Sequence, residues 1–214
     1  IAAGMFAATG TIAALHQRHN TGVGARVDGS MLDSQVALLE NAIARYVTSG
    51  EVPGPIGSRH PSITPFGAFE TQRGQLVIAA GNDGLFRKLC DVLGTPALAA
   101  DARFATNADR CANEAALRAA LEGALASDGV ETWLARLEAA ELPCAPVQNV
   151  AEVLAHPQVR ARNMALPIDA PEYAGVLVAG NPVKISTQRD AASAKPPPRL
   201  GEHREAILAA TRKA

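Results

Sequence analysis

Apolar positions fall into two regimes on either side of a proline- and glycine-rich stretch. Residues 2–18 carry a run of small and apolar side chains, read as a buried helix that breaks at Asn20-Thr21-Gly22-Val23-Gly24. Ala25-Arg26-Val27-Asp28 reads as a short strand. Ser30 is placed as an N-cap with Asp33 three residues on. The helix that follows puts Leu32, Val36, Leu39, Ile43 and Val47 on one stripe and stops at Gly50. Residues 50–66 contain four prolines and three glycines, which excludes regular structure there.

Directly after that stretch apolar positions alternate before helical spacing returns. Residues 68–71 and 75–79 flank a turn at Gln72-Arg73-Gly74 and predict a β-hairpin. Asn82 then caps a helix with Leu85, Phe86, Leu89, Cys90 and Leu93 on one face, closed by Gly94. Two further helices are expected. The first, at 107–126, has the stripe Leu117, Ala120, Leu121, Ala124 and Leu125. The second, at 129–141, has Val130, Trp133, Leu134 and Leu137, with Asp128 and Glu131 as a capping box. The prolines make 142–147 extended. A short helix at 150–155, strands at 164–168, 175–179 and 183–186, a linker at 191–198 and a terminal helix after His203 complete the pattern.

Composition narrows the function classes. A formal net charge of −1 argues against nucleic acid or an anionic membrane as partner. No apolar run is long enough to span a membrane. Three scattered cysteines without a CxxC motif fit a reducing cytoplasm. The chain opens on Ile1 as though entering a helix part-way, which reads as a fragment.

No Walker loop, GxSxG, HExxH or GxGxxG is present, and the five histidines lack metal-ligand spacing, so no metal site is expected. His16 and His19 read as helix-end residues. Gly54 to His60 is the stretch with most chemical content. Its glycines let backbone N–H groups meet an anion, Arg59 offers a charge-assisted contact and His60 a donor. The same stretch also reads as an interdomain linker. Ala80-Gly81-Asn82-Asp83-Gly84 joins a strand to a helix start, a place for an anion or simply a capped helix. Cys144 has nothing nearby in sequence to activate it and reads as an inert thiol. Asp33 is explained by capping.

Taken in order, several segments resemble the class III CoA-transferases, the family of formyl-CoA and carnitine CoA-transferases (CaiB/BaiF-like). They are Thr9 to Arg18 with Thr21-Gly22-Val23-Gly24 and Arg26 to Asp33; Thr64 to Thr71 with Gly74 and Ile78 to Asn82; Asp101 to Thr106 with Asn107 and Arg110; Leu142 to Val147 with His156-Pro157-Gln158; and Asn181 to Lys184 with Leu200 to His203. Each is short, and the specificity lies in their order along nearly the whole chain. Ala25 departs from the family's Gln. The 54–60 loop lacks the glycine run of formyl-CoA transferases, which points away from oxalate or formate chemistry.

The resemblance implies an α/β fold in which two ring-shaped chains interlock as a homodimer. It assigns 1–48 and 191–214 to a Rossmann-like large domain, 49–66 to a linker and loop, 67–147 to a small α+β domain and 148–190 to a return linker. It implies transfer of CoA between an acyl-CoA thioester and a small carboxylic acid, with no tightly bound cofactor. An aspartate attacks the thioester to form a mixed anhydride, then an aspartyl-CoA thioester, then a second anhydride with the acceptor acid. That aspartate is expected upstream of Ile1, so no residue of this chain inherits its role. Gly57, Ser58, Arg59 and His60, with Ala80, Gly81 and Asn82, are expected to bind the acyl carboxylate and to steady its developing charge through backbone N–H groups. An α-methylacyl-CoA racemase of the same fold and a non-catalytic assembly fragment are the competing readings. Gly81-Asn82-Asp83 favours the transferase over the racemase.

Overall fold

The computed structural model describes residues 1–211, which divide at Pro61–Ser62 into two compact units. The first contains three helices: α1 (Ala2–Thr21), α2 (Met31–Leu38) and α3 (Glu40–Ser49). Gly22 ends α1 and Gly50 ends α3, both in the left-handed conformation that a residue without Cβ enters at no steric cost. Ser30 caps α2 by accepting from the Asp33 N–H. The expected strand at 25–28 does not form. That segment runs as irregular chain with Val27 against Gly10 of α1, where a Cβ would stand 3.1 Å from the valine methyl.

The helix expected to run unbroken to Gly50 is cut at Leu39, whose N–H turns back to Val36 O at 3.0 Å. The expected burial of residues 2–18 is also not observed within this unit. Phe6 is 49% exposed, and on α2 and α3 Leu32 is 72% and Val47 75% exposed. Three helices without a sheet between them cannot cover all of one another's apolar stripes.

The second unit contains the core. Strands β1 (Phe66–Glu70) and β2 (Gln75–Ala79) form the expected hairpin, with Phe69 opposite Leu76 and Gly67 opposite Ile78. Those buried positions therefore share one face. Gly74 (φ 85°) makes the turn and passes so close to Val130 that a Cβ would meet its methyl at 3.2 Å.

Helix α4 (Asp83–Val92), a short α5 (Pro96–Ala100), a 3-10 turn (Ala102–Phe104), α6 (Asn107–Ala112), α7 (Glu114–Leu125) and α8 (Val130–Ala139) follow. Phe86, Leu89 and Cys90 of α4, Leu117, Leu121 and Leu125 of α7, and Trp133 and Leu137 of α8 pack with Phe69, Leu76 and Ile78. Each such leucine contributes about 1.5–3 kcal/mol by leaving water. The Trp133 indole N–H donates to Leu125 O at 2.8 Å, which satisfies its one polar atom.

Two expectations here are corrected. Residues 107–126 form two helices rather than one, because Asn113 breaks the run and its side-chain amide donates to Arg103 O and Asp109 O. Asp128 and Glu131 make no capping box. Gly129 is the N-cap, and the Asp128 carboxylate is taken by Arg136 at 2.9 Å.

The extended Pro-Cys-Ala-Pro run becomes β3 (Cys144–Pro146), paired antiparallel to β2, with Cys144 opposite Ile78. The outer edge of β1 is closed by side chains of α7: Arg118 donates to Ala68 O at 2.8 Å and Glu122 accepts from the Glu70 N–H.

After β3 come α9 (Val150–Ala155), capped by a reciprocal Asn149–Glu152 box, and α10 (Pro157–Ala161), where His156 Nδ1 accepts from the Gln158 N–H. A two-stranded antiparallel sheet, β4 (Ala165–Pro167) with β5 (Leu177–Ala179), and α11 (Arg204–Thr211) complete the unit. Residues 183–186 are not a strand. The whole is a mixed α/β chain with antiparallel sheets. No helix among the described residues is long and apolar enough to cross a membrane.

Candidate functional site

The sequence singles out two segments, and they fall in different units. In the first unit, Gly57 takes φ +66° in a turn that exposes Gly57, Ser58 and Arg59 and half-buries His60. The positive φ is what the glycine supplies at the apex.

In the second unit, Ala80, Gly81 and Asn82 carry the chain from β2 into α4. Ala80 is fully buried and its N–H donates to Pro65 O at 3.0 Å, which fixes the start of the turn. Gly81 and Asn82 are exposed. The Asn82 side-chain oxygen accepts from the Leu85 N–H at 2.9 Å, so the capping reading of Asn82 holds. The amides of Asp83 and Gly84 open the helix and, as at any helix start, have no intrahelical acceptor; the local field there is positive.

One carboxylate, Asp83, sits in that first turn, and it is met by Arg110 at 2.8 Å. Arg110 is fully buried, although arginine is ordinarily a surface residue. Its guanidinium donates to Thr64 O at 2.7 Å, to Phe104 O at 3.1 Å and to Asp83, and lies 4.6 Å over the Phe86 ring. Asn107, one turn earlier on α6, takes the Thr64 N–H and donates to Ser62 O. Arg110 stands in one of the motifs that carry the family resemblance, but spacing assigns it no task. Only the fold brings it to Asp83, across 27 residues of sequence.

Two of the thiols are held in the protonated form. Burial, with Asp91 beside it, pushes the Cys90 thiol up to about 11. Burial, with Glu138 nearby, also raises Cys144, so this thiol stays protonated at neutral pH, in line with its reading as inert. The Arg103 guanidinium holds Asp101 below the usual carboxylate range. Asp28 is exposed beside Arg26 at 3.5 Å. Among the described residues no three His, Cys, Asp or Glu side chains gather as a metal-binding set.

Comparison with known proteins gives a consistent picture. The chain is 43% identical over 204 residues to an acetyl-CoA:oxalate CoA-transferase of Acetobacter aceti, covering 95% of this chain and 51% of that protein. It is 34% identical to a succinate–glutarate CoA-transferase of Agrobacterium fabrum (96% and 51% covered) and 34% identical to a mouse succinyl-CoA:glutarate CoA-transferase (97% and 48%). The chain thus spans about half the length of the curated relatives it matches. A CaiB/BaiF family protein from Brucella suis superposes with a TM-score of 0.80 at 36% identity, covering 98% of this chain and 54% of that one. The model of CoA-transferase family III matches residues 1–204, and the chain belongs to that family.

Proposed function

We propose that this chain is the carboxy-terminal portion of an enzyme that moves CoA between an acyl-CoA thioester and a small carboxylic acid. One observation carries the reading. The relatives matched along nearly the whole chain are named for CoA transfer involving oxalate, succinate or glutarate. The nucleophile is an aspartate outside residues 1–214. Its carboxylate displaces CoA thiolate from the thioester to give a mixed anhydride. The thiolate then attacks the aspartyl carbonyl and releases the donor acid. The acceptor carboxylate reverses the sequence, leaving as its own CoA thioester with the aspartate restored.

In this scheme the chain contributes binding. The exposed Gly57 and Arg59 of the Gly57–His60 turn and the exposed Gly81 and Asn82 of the Ala80–Asn82 turn are candidates to meet an acyl carboxylate, with Arg59 adding a charge-assisted contact, whereas the Ala80 N–H is already donated to Pro65 O. The uncovered apolar stripes of α1, α2 and α3 belong to a large domain completed by other chain and by a second subunit in a homodimer. Residues 67–147 form the small domain. The enzyme works in the cytoplasm, where Cys90, Cys111 and Cys144 stay unpaired. The transferase names of the relatives favour this reading over a racemase. They also return oxalate to the substrate list, from which the sparse glycines of residues 54–60 had argued it away.

The test is to incubate the full-length protein with acetyl-CoA or succinyl-CoA and each of oxalate, succinate and glutarate, following new CoA thioesters by mass spectrometry. A new thioester of at least one acceptor is expected. Hydrolysis alone, or no turnover with any pair, would count against the assignment.

A further inference from the structure

Strand β2 has the Ala80–Asn82 turn at one end and a cavity of about 370 Å³ at the other. The β1–β2 turn, the start of α8 and the chain after β3 line this cavity, whose volume is that of a small-ligand pocket. Its apolar lining comes from Val130, Leu134, Pro146 and Val147. Its charges are of opposite sign: Arg73 from the turn and Glu131 from the first turn of α8. Both side chains stand over Gly129, where a Cβ would lie 3.6 Å from Glu131 Oε2 and 3.8 Å from Arg73 Nε. Gly129 has φ −82°, which any residue adopts, so the backbone does not require a glycine there. What the glycine leaves is open space between a guanidinium and a carboxylate.

Neither charge is engaged. Among the described residues, the Arg73 guanidinium and the Glu131 carboxylate make no ion pair or hydrogen bond. Asp128, three residues before Glu131, is by contrast held by Arg136 at 2.9 Å. Glu152 is a second carboxylate in the lining, and its Oε2 already accepts the Asn149 N–H at 2.8 Å. An exposed Arg73–Glu131 pair closing on itself would gain at most about 1 kcal/mol, so little opposes a ligand that takes both. An inorganic anion would suit Arg73 but meet Glu131 and Glu152 as like charges. A simple amine would leave Arg73 unused. A carboxylate and an ammonium on one carbon, with an aliphatic group beside them, satisfy all three features of the lining.

We propose that this cavity binds a free α-amino acid with an aliphatic side chain. Arg73 takes its carboxylate, Glu131 its ammonium, and Val130, Leu134 and Val147 its side chain. The site does not depend on which reaction the complete enzyme performs.

The test is a ligand-observed NMR titration of the full-length protein with L-leucine, L-leucine amide, N-acetyl-L-leucine and glycine. Leucine is expected to bind saturably. The amide lacks the carboxylate, the acetyl compound lacks the ammonium and glycine lacks the side chain, and each is expected to bind at least about tenfold more weakly. Arg73→Gln and Glu131→Gln alter exposed side chains that hold nothing in place, so both variants should fold. Arg73→Gln is expected to bind leucine no better than its amide, and Glu131→Gln no better than N-acetyl-leucine. Gly129→Ala places a methyl between the two charges and is expected to weaken leucine about tenfold while removing neither. The proposal is overturned if leucine shows no saturable binding up to about 10 mM. It is equally overturned if the amide or the acetyl compound binds as leucine does, or if Arg73→Gln and Glu131→Gln leave leucine binding unchanged, because the amino acid is then held elsewhere on the protein.

Discussion

Replacing Arg110 with Met keeps most of the side chain's apolar length and deletes the guanidinium, which isolates the polar contribution to the second unit. Three partners lose a donor: Thr64 O, Phe104 O and the Asp83 carboxylate. Asp83 is 48% exposed and is rehydrated at little cost. The two carbonyls lie beside a fully buried side chain, and an unsatisfied buried acceptor costs about 1–3 kcal/mol. Loss of the contact over the Phe86 ring, at 4.6 Å, adds about 0.5–1 kcal/mol. Arg110→Met is therefore expected to destabilise by about 3–5 kcal/mol, within the range for removing one partner of a buried ionic network. Arg110→Ala is expected to lose about 2 kcal/mol more through the cavity it leaves.

Urea unfolding of the 214-residue chain, read by tryptophan fluorescence, measures this directly. The chain has one tryptophan, Trp133, buried in the same core at 2% exposure. The signal therefore reports the unit in which Arg110 lies. A loss below about 1 kcal/mol for Arg110→Met, at unchanged m-value, would refute the reasoning. It would mean that the carbonyls find water and that the buried guanidinium contributes no more than a surface charge.

Other consequences are open to simpler measurements. Arg59→Ala in the full-length enzyme is expected to raise the acceptor KM by the equivalent of about 1.5–3 kcal/mol, and an unchanged KM would return Arg59 to the solvated linker charges. Asn82→Ala removes the bond to the Leu85 N–H and is expected to cost about 1 kcal/mol in the same urea assay, whereas Asn82→Ser retains a cap and costs less. The Cys90 thiol, raised from 9.0 to about 11, favours the protonated folded form, so its contribution to stability is intact below pH 9 and is lost as pH rises toward 11. Iodoacetamide labelling read by intact mass should modify buried Cys90 after the half-buried Cys111 and Cys144; early labelling of Cys90 would contradict its burial.

Local signals in the sequence carried the elements whose cause is local. Ser30 and Asn82 cap because their oxygens reach amides three residues on, and Gly22, Gly50 and Gly74 turn where a positive φ is needed. The β1–β2 hairpin was legible because its alternation and its turn agree. What the pattern missed depends on partners distant in sequence. Asp128 has the spacing of a capping residue, but Arg136 claims it. The run 107–126 looks continuous, yet Asn113 is drawn off by Arg103 O.

The stripes of α1, α2 and α3 announced faces that need cover without saying what covers them. At the candidate site, Gly81 and Asn82 were legible as a strand-to-helix turn. Its electrostatics were not, because they are set by an arginine that composition places on the surface and the fold places inside. The Gly57–His60 turn was legible as a place of special backbone, with Gly57 at φ +66°.

The central claim is that CoA transfer in this protein uses a nucleophile that residues 1–214 do not supply. The most direct measurement compares the full-length protein with the 214-residue chain. Each is given succinyl-CoA and the acid panel, then quenched and mapped by peptide mass spectrometry for a carboxylate-linked CoA adduct. The account predicts turnover and an aspartyl adduct outside these residues for the full-length protein, and neither for the chain alone. Turnover by the 214-residue chain, or an adduct on one of its own carboxylates, would contradict it.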